Sequence, residues 1–222
     1  MMKIREFESV KKFKFLPGDP DTNAVRLREL EWLSPMIRND SYCMEFGVFS
    51  GTTINAVAKA RPDLKIYGFD SFEGLPSDWD MGQKNVKKEA FDRKGVYPDV
   101  ENNVVLVKGW FDKTVPHFKT AHDRGDIGYL HIDGDVYESA KIVLDELNDW
   151  IVPGTIIRFD ELCCWRYAFG EASPSGKASR VLYTTWKEHE YKALNEWLDK
   201  YDRKVAPLCR NWFQGGTVIV TQ

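Results

Sequence analysis

Short apolar runs alternate along this chain with longer stretches in which apolar residues recur every three or four positions. Short runs mark strands buried on both faces, and the longer spacing marks helices with one face in a core. Residues 22–37 predict a first helix, capped at Thr22 or Asn23, with Val25, Leu27, Leu30, Leu33 and Met36 on its apolar side. Residues 42–46 predict a buried strand running into a glycine-bearing turn, and 52–60 the helix after it. Further strands are expected at 64–69, 103–107, 128–132 and 155–159, with Asp70, Asp133 and Asp160 just past three of them. Residues 137–150 read as a helix holding Ile142, Val143, Leu147 and Trp150 at core spacing, and 188–201 as another holding Tyr191, Leu194, Trp197 and Leu198. Residues 205–209 and 217–220 predict two strands flanking a Gly215-Gly216 turn. The alternation is that of an α/β protein. It predicts a mostly parallel seven-stranded sheet with helices on both faces and an antiparallel pair at its C-terminal end. One domain is expected over 1–222, its first 39 residues an extension and a helix.

Two stretches break the rhythm. Residues 76–102 form a long polar connection containing Trp79, Lys84, Lys87 and Lys88. Connections of that length inside a compact domain are usually lids or binding loops. Residues 166–185 are aperiodic and marked by Gly, Ser and Pro, which predicts an insertion loop.

Composition narrows the classes of function. At 222 residues, 43% hydrophobic and 29% charged, the chain can bury a core without crosslinks. Its 31 Lys and Arg against 34 Asp and Glu give a net charge of −3, which speaks against a nucleic-acid binder held by bulk electrostatics. Lys3, Arg5, Lys11, Lys12 and Lys14 are interleaved with Phe7, Phe13 and Phe15, so the N-terminus lacks the apolar core of a secretory signal. No stretch is long enough to span a membrane. Cys43, Cys163, Cys164 and Cys209 include an adjacent pair, poor for a disulfide, and no C-x-x-C zinc spacing. Reduced thiols and a cytoplasmic location are expected, and a homo-oligomer is compatible.

The first strand delivers Glu45, Phe46, Gly47, Val48, Phe49, Ser50 and Gly51 at its carboxyl end, where open α/β sheets bind ligands. The spacing G-x-x-x-G differs from the G-x-G-x-x-G that cradles a dinucleotide pyrophosphate. An acid two residues before the glycine suits an amino-acid tail, and Gly47 would let backbone approach the ligand. The alternative is a plain strand-to-helix turn. Asp70, followed by Ser71, stands where a ribose diol would be held, which favours a nucleoside carrying an amino-acid tail. Gly109, Trp110 and Phe111 follow the third strand, and their aromatics either wall the adenine or join the core.

Asp133, Asp160 and Glu161 sit past the ends of strands four and five, with Asp135 nearby. Neighbouring strands lie about 5 Å apart, so these acids can converge, and converging carboxylates call for a shared cation or a proton. Oxygen-only ligands suit Mg2+, Mn2+ or Ca2+. Ionised Asp133 would accept the proton of an attacking hydroxyl. Rim acids that merely cap turns are the plainer reading. His131 alternates with Asp133 but reads as a hydrogen-bonded core residue; His189 and Glu190 either reach the acceptor pocket or cap the late helix.

Several strings together resemble the macrocin-type O-methyltransferases, the mycinamicin, tylosin and novobiocin enzymes. They are Glu45-Phe46-Gly47-Val48, Phe69 to Pro76 (F-D-S-F-E-G-L-P), Lys108 to Phe111 (K-G-W-F) and His131 to Ser139 (H-I-D-G-D-V-Y-E-S), then Pro153-Gly154 and an acidic pair. The resemblance spans about residues 40–162. It implies a class I, Rossmann-like methyltransferase fold, S-adenosylmethionine as donor, Mg2+ and a small-molecule acceptor such as a sugar hydroxyl. It carries Glu45, Gly47, Asp70, Ser71, Trp110 and Phe111 to the donor site, Asp133 to the base and metal position, and Asp160 and Glu161 to the metal set. The antibiotic enzymes have two aspartates where this chain has Asp160-Glu161. A later W-x-x-H-E-x-K-A string, from Trp186 to Ala193, resembles an F-D-E branch of the family in which the intervening segment is shorter. Two competing readings are a metal-independent N- or carboxyl-methyltransferase and a non-catalytic binding module on the same fold.

Overall fold

A computed structural model describes residues 13–16, 22–165, 168 and 182–222. Most of the insertion expected over 166–185, the basic segment before residue 13 and the caps expected from the Thr22 and Asn23 side chains lie outside that description.

The first strand of the crevice, β2 (Tyr42–Phe46), has β3 (Ile66–Asp70) on one side and β7 (Ile127–Ile132) on the other, all parallel. Strand β6 (Val104–Lys108) extends this set beyond β3, and β8 (Ile156–Phe159) extends it beyond β7. Strands β9 (Val205–Arg210) and β10 (Gly216–Val220) complete it, β10 running antiparallel to both β8 and β9. A two-residue strand, β1 (Lys14–Phe15), pairs parallel with β9 at the edge, so the sheet has eight strands where seven were expected. The order β1-β9-β10-β8-β7-β2-β3-β6 reverses direction of winding at β2, and a crevice opens there at the strands' carboxyl ends.

Alternation along the strands feeds two cores. Met44, Phe46, Leu130, Ile132, Ile157 and Phe159 face α3 (Phe111–Ala121), α4 (Tyr137–Glu146) and α5 (Glu190–Lys200). Cys43, Ile66, Tyr129 and Ile156 face α1 (Thr22–Leu33) and α2 (Thr52–Ala60). Sequence periodicity overshoots three helix ends. The chain leaves α1 at Leu33 because Pro35 tightens the next turn, Ser34–Met36, into a 3-10 helix. Helix α4 stops at Glu146, and α5 starts at Glu190 after a 3-10 turn at Trp186–Glu188. Helix α3 is absent from the sequence reading: Pro116 sits inside it, and only Thr114, Val115 and Phe118 are buried.

The long 76–102 connection is ordered. It holds a small hairpin, β4 (Trp79–Asp80) with β5 (Asn85–Val86), fastened to the segment before α5. The Thr184 amide donates to the Met81 carbonyl at 3.0 Å, the Thr185 hydroxyl to the Asp80 carbonyl at 2.6 Å, and His189 Nε2 to the same carbonyl at 3.0 Å. Among the described residues no helix is long and apolar enough to cross a membrane.

Candidate active site

A cavity of about 860 Å³ occupies the crevice, within the usual range for small-molecule sites. Gly47, Val48, Phe49 and Ser50 line one side, Asp70 and Ser71 the adjoining one, and Trp110 and Phe111 the mouth of α3. Asp133, Asp135 and Glu161 line the far end, with Arg26 of α1 beside them. Trp79, Met81, Val86 and Phe91 of the 76–102 connection and Phe213 and Gln214 of the β9–β10 turn close the remaining sides.

The turn after β2 is shaped by left-handed residues, Gly47 at φ 97°, Phe49 at 45° and Gly51 at 81°. Asp70 holds it in place. Its carboxylate accepts the Val48 and Phe49 amides at 2.8 Å each and the Phe72 amide at 2.6 Å. A carboxylate offers about four acceptor positions, so one is left for a ligand hydroxyl. Gly47 is required for a reason the sequence did not suggest: a Cβ there would lie 1.8 Å from the Asp133 carbonyl oxygen. The glycine lets the tips of β2 and β7 touch, and the Asp133 amide bonds the Phe46 carbonyl at 2.8 Å across that contact.

Glu45, Gly51 and Gly109, expected at the donor site, stand behind the cavity wall. Glu45 is 1% exposed, and its two oxygens accept Thr53 Oγ1 and His131 Nδ1, each at 2.8 Å. It begins a row across the sheet. Glu45 is in register with His131, His131 with Arg158, and Arg158 with Thr217, on the face covered by α1 and α2. The Arg158 guanidinium lies against His131 Nε2. It also donates to Glu29 of α1 at 3.1 and 3.3 Å and to Asp160 Oδ1 at 2.6 Å. Thr217, Asn211 and the Cys209 thiol also donate to Glu29, at 3.1, 3.2 and 3.7 Å. Buried charges persist only when paired in this way. His131 is thus a core histidine, as the sequence suggested.

Of the expected metal set of Asp133, Asp160 and Glu161, Asp160 is the member most engaged by this network. Both oxygens of Asp160 are taken, Oδ1 by Arg158 and Oδ2 by Arg26, and the residue is off the cavity wall. Burial alone would raise its carboxyl, yet Arg26 and Arg158 hold it well below the ordinary range. Among the described residues two sets of candidate ligand atoms lie within 4.8 Å of one another, His131 with Asp133 and Asp160, and Asp133 with Asp135 and Glu161. Only the second does without Asp160, whose oxygens both face arginines. Burial and then the Asp160 charge push Asp133 up to about 7. Burial and neighbouring carboxylates raise Asp135 and Glu161 well above the ordinary value. Asp135 holds this place with φ 59°, a left-handed conformation that aspartate tolerates. Glu161 Oε2 is buried and has no hydrogen-bond partner. Glu190 is fully buried and accepts the Glu161 amide at 2.9 Å, so it braces the acidic turn and is not on the cavity wall.

Arg26, Glu29 and Arg158 are the residues sequence reading passed over. A signal existed: Glu29 interrupts the apolar row Val25, Leu33 at four-residue spacing, and Arg158 lies between Ile157 and Phe159 inside a buried strand.

A methyltransferase-domain family matches residues 44–162, more than half of the chain. A tetracenomycin-C 4'-O-methyltransferase of Streptomyces olivaceus, acting on the 8-demethyl-8-(2,3-dimethoxy-alpha-L-rhamnosyl) compound, is 30% identical over 188 residues, covering 65% of this chain and 69% of its own. The calicheamicin methyltransferase CalS11 superposes with TM-score 0.63 at 22% identity, over 87% of this chain and 77% of that one. The O-methyltransferase NovP gives 0.56 at 21%, over 90% and 81%. Fold and crevice together define a class I S-adenosylmethionine-dependent methyltransferase. Within that class, the chain belongs to the methyltransferase-domain family that its residues 44–162 match.

Proposed function

We propose that this enzyme methylates a hydroxyl of a small molecule, with a sugar on a glycosylated natural product as the acceptor class. The observation that carries the reading is one cavity whose wall passes from the β2 turn and Asp70 to Asp133, Asp135 and Glu161. The rhamnosyl compound named for the Streptomyces relative supports the sugar.

In this reading Gly47, Val48, Phe49 and Ser50 cradle the amino-acid end of the donor. The remaining acceptor position of Asp70, with Ser71, takes the ribose, and Trp110 and Phe111 wall the adenine. Gly51, Gly109 and Glu45 frame the site from behind. S-adenosylmethionine supplies an electrophilic methyl group on a sulfonium. Asp133 accepts the proton of the attacking hydroxyl, and the walls from 76–102 exclude water and orient the oxygen. The orphaned Glu161 oxygen, with Asp133 and Asp135 in reach, fits a hard divalent cation such as Mg2+. It would supply Lewis-acid activation of the hydroxyl. The solved mycinamycin-pathway enzyme MycE, described in complex with Mg and S-adenosylhomocysteine, shares the fold with TM-score 0.53 at 13% identity. We place the enzyme in the cytosol, a reading supported by four buried cysteine thiols with no disulfide among them.

The test is methyl transfer from labelled S-adenosylmethionine to a panel holding a rhamnosylated aromatic polyketide, its aglycone, an amine and a carboxylic acid. The label on a sugar oxygen is expected. Transfer confined to nitrogen or carboxylate would overturn the reading, and undiminished turnover after exhaustive chelation would remove the cation from it.

A further inference from the structure

The acidic cluster already holds a cation of its own. Arg26 projects from α1 into the cavity, with about a quarter of its side chain exposed. Its Nη2 donates to Asp160 Oδ2 and lies 3.6 Å from Glu161 Oε1. One turn further along the same helix, Glu29 is buried against Arg158, and Arg158 donates back to Asp160 Oδ1. The four residues form an alternating chain, Arg26, Asp160, Arg158 and Glu29, with its two ends on α1 and its middle on β8 and the residue just past it. Asp160 needs no further cation in this arrangement, because each of its oxygens faces a guanidinium. On the other side of Glu161, Oε2 has no partner.

We infer that Arg26 is a positioning residue of the active site: its guanidinium occupies the Asp160 side of the acidic cluster, removes Asp160 from any metal-ligand set, and directs a divalent cation to Asp133, Asp135 and the free oxygen of Glu161. The first helix is therefore part of the catalytic architecture as well as part of the core. Asp160 serves as an anchor for α1, and the acidic pair after β8 has two unlike duties. The inference rests on the cation reading given above, and ion binding tests it apart from turnover.

The experiment is titration of the full chain with Mn2+ followed by electron paramagnetic resonance, with S-adenosylhomocysteine binding measured by calorimetry on the same samples. Asp160→Asn is expected to weaken Mn2+ binding by no more than about tenfold, the effect of one lost unit charge nearby, without abolishing it, since a non-ligand is being changed. Arg26→Met is expected to raise it about tenfold or more, because a unit positive charge leaves the neighbourhood of a dication. Arg26→Lys should behave as the parent, and Asp160→Asn added to Arg26→Met should cancel the gain. If the parent holds no Mn2+, binding newly acquired by Arg26→Met supports the inference and its failure to appear overturns it. Loss of parent Mn2+ binding in a folded Asp160→Asn variant, or no change in Arg26→Met, also overturns it. Should Asp160→Asn not fold, the comparison of Arg26→Met with Arg26→Lys decides. Failure to bind S-adenosylhomocysteine with the Mn2+ pattern intact would sink the methyltransferase reading and leave Arg26 where it is.

Discussion

Asp133 carries two loads, and they can be separated by substitution. Its backbone carbonyl touches Gly47 and its amide bonds Phe46, while its carboxyl alone faces the cavity chemistry. Asp133→Asn keeps the backbone contact, so S-adenosylhomocysteine affinity should change by no more than a few fold while methyl transfer falls by about 10²–10⁴, the usual worth of a general base. A comparable loss in both measurements would assign Asp133 to donor binding. The raised carboxyl also sets a pH dependence. A folded value of about 7 exceeds the ordinary value of about 4 for aspartate. The fold thus favours the neutral form, and the stability this confers is present in acid and lost as pH rises through about 7. The base is the charged form. Without added divalent cation, turnover should therefore climb with pH through about 7 and level off above it. A rate already flat from about pH 5 upward would show that another group takes the proton. Gly47→Ala tests the contact itself. A Cβ 1.8 Å from a carbonyl oxygen, on a residue at φ 97°, combines overpacking with backbone strain. The expected cost is about 3 kcal/mol or more, read as a large drop in melting temperature.

At the scale of elements, α1 is held to the sheet by charge as well as by Leu30 and Leu33. Removing one member of a buried pair leaves its partner uncompensated, which typically costs about 3–5 kcal/mol. Arg158→Met strips Glu29 of its cation and leaves Asp160 with Arg26 alone, and should lower the melting temperature by roughly 10 °C in a chain of this size. Adding Glu29→Gln to it should cost much less than the sum of the two single changes. Additive effects would show that the two groups are not coupled. The register explains why this network is compact. Glu45, His131, Arg158 and Thr217 stand side by side on four successive neighbouring strands, so each needs to reach only across one strand spacing.

For the whole molecule, the 76–102 connection walls the cavity and is joined to the segment before α5 by backbone and side-chain hydrogen bonds. Phe91 of the connection packs edge-on against Phe49 of the donor turn, with centroids 5.4 Å apart. A ligand seated on Phe49 would thereby be coupled through Phe91 to the connection. Hydrogen exchange across 76–102 should slow on adding S-adenosylhomocysteine, with the β4–β5 hairpin slowed alongside. Unchanged exchange there would mean a fixed wall and no closure.

Much of the fold was legible from pattern alone. Runs such as Tyr42 to Phe46 and Gly128 to Ile132 can satisfy their apolar side chains only between two helical layers, so strand identity and the parallel sheet follow from local spacing. The placing of Asp70, Asp133 and Glu161 on one crevice follows too, because strand ends in a parallel sheet share an edge. The helix Phe111–Ala121 was not legible, since its few buried residues and internal proline give no clear period. Nor was the division of labour among the acids. Glu45 and Asp160 have the same formal charge as Asp133, and only the arginines and histidine brought beside them from distant segments decide which carboxylates are spent on structure and which stay open to chemistry. Local sequence fixes where a charge sits along the chain; what neutralises it depends on residues more than a hundred positions away, as Arg26 is from Asp160, and that pairing exists only once the chain has folded.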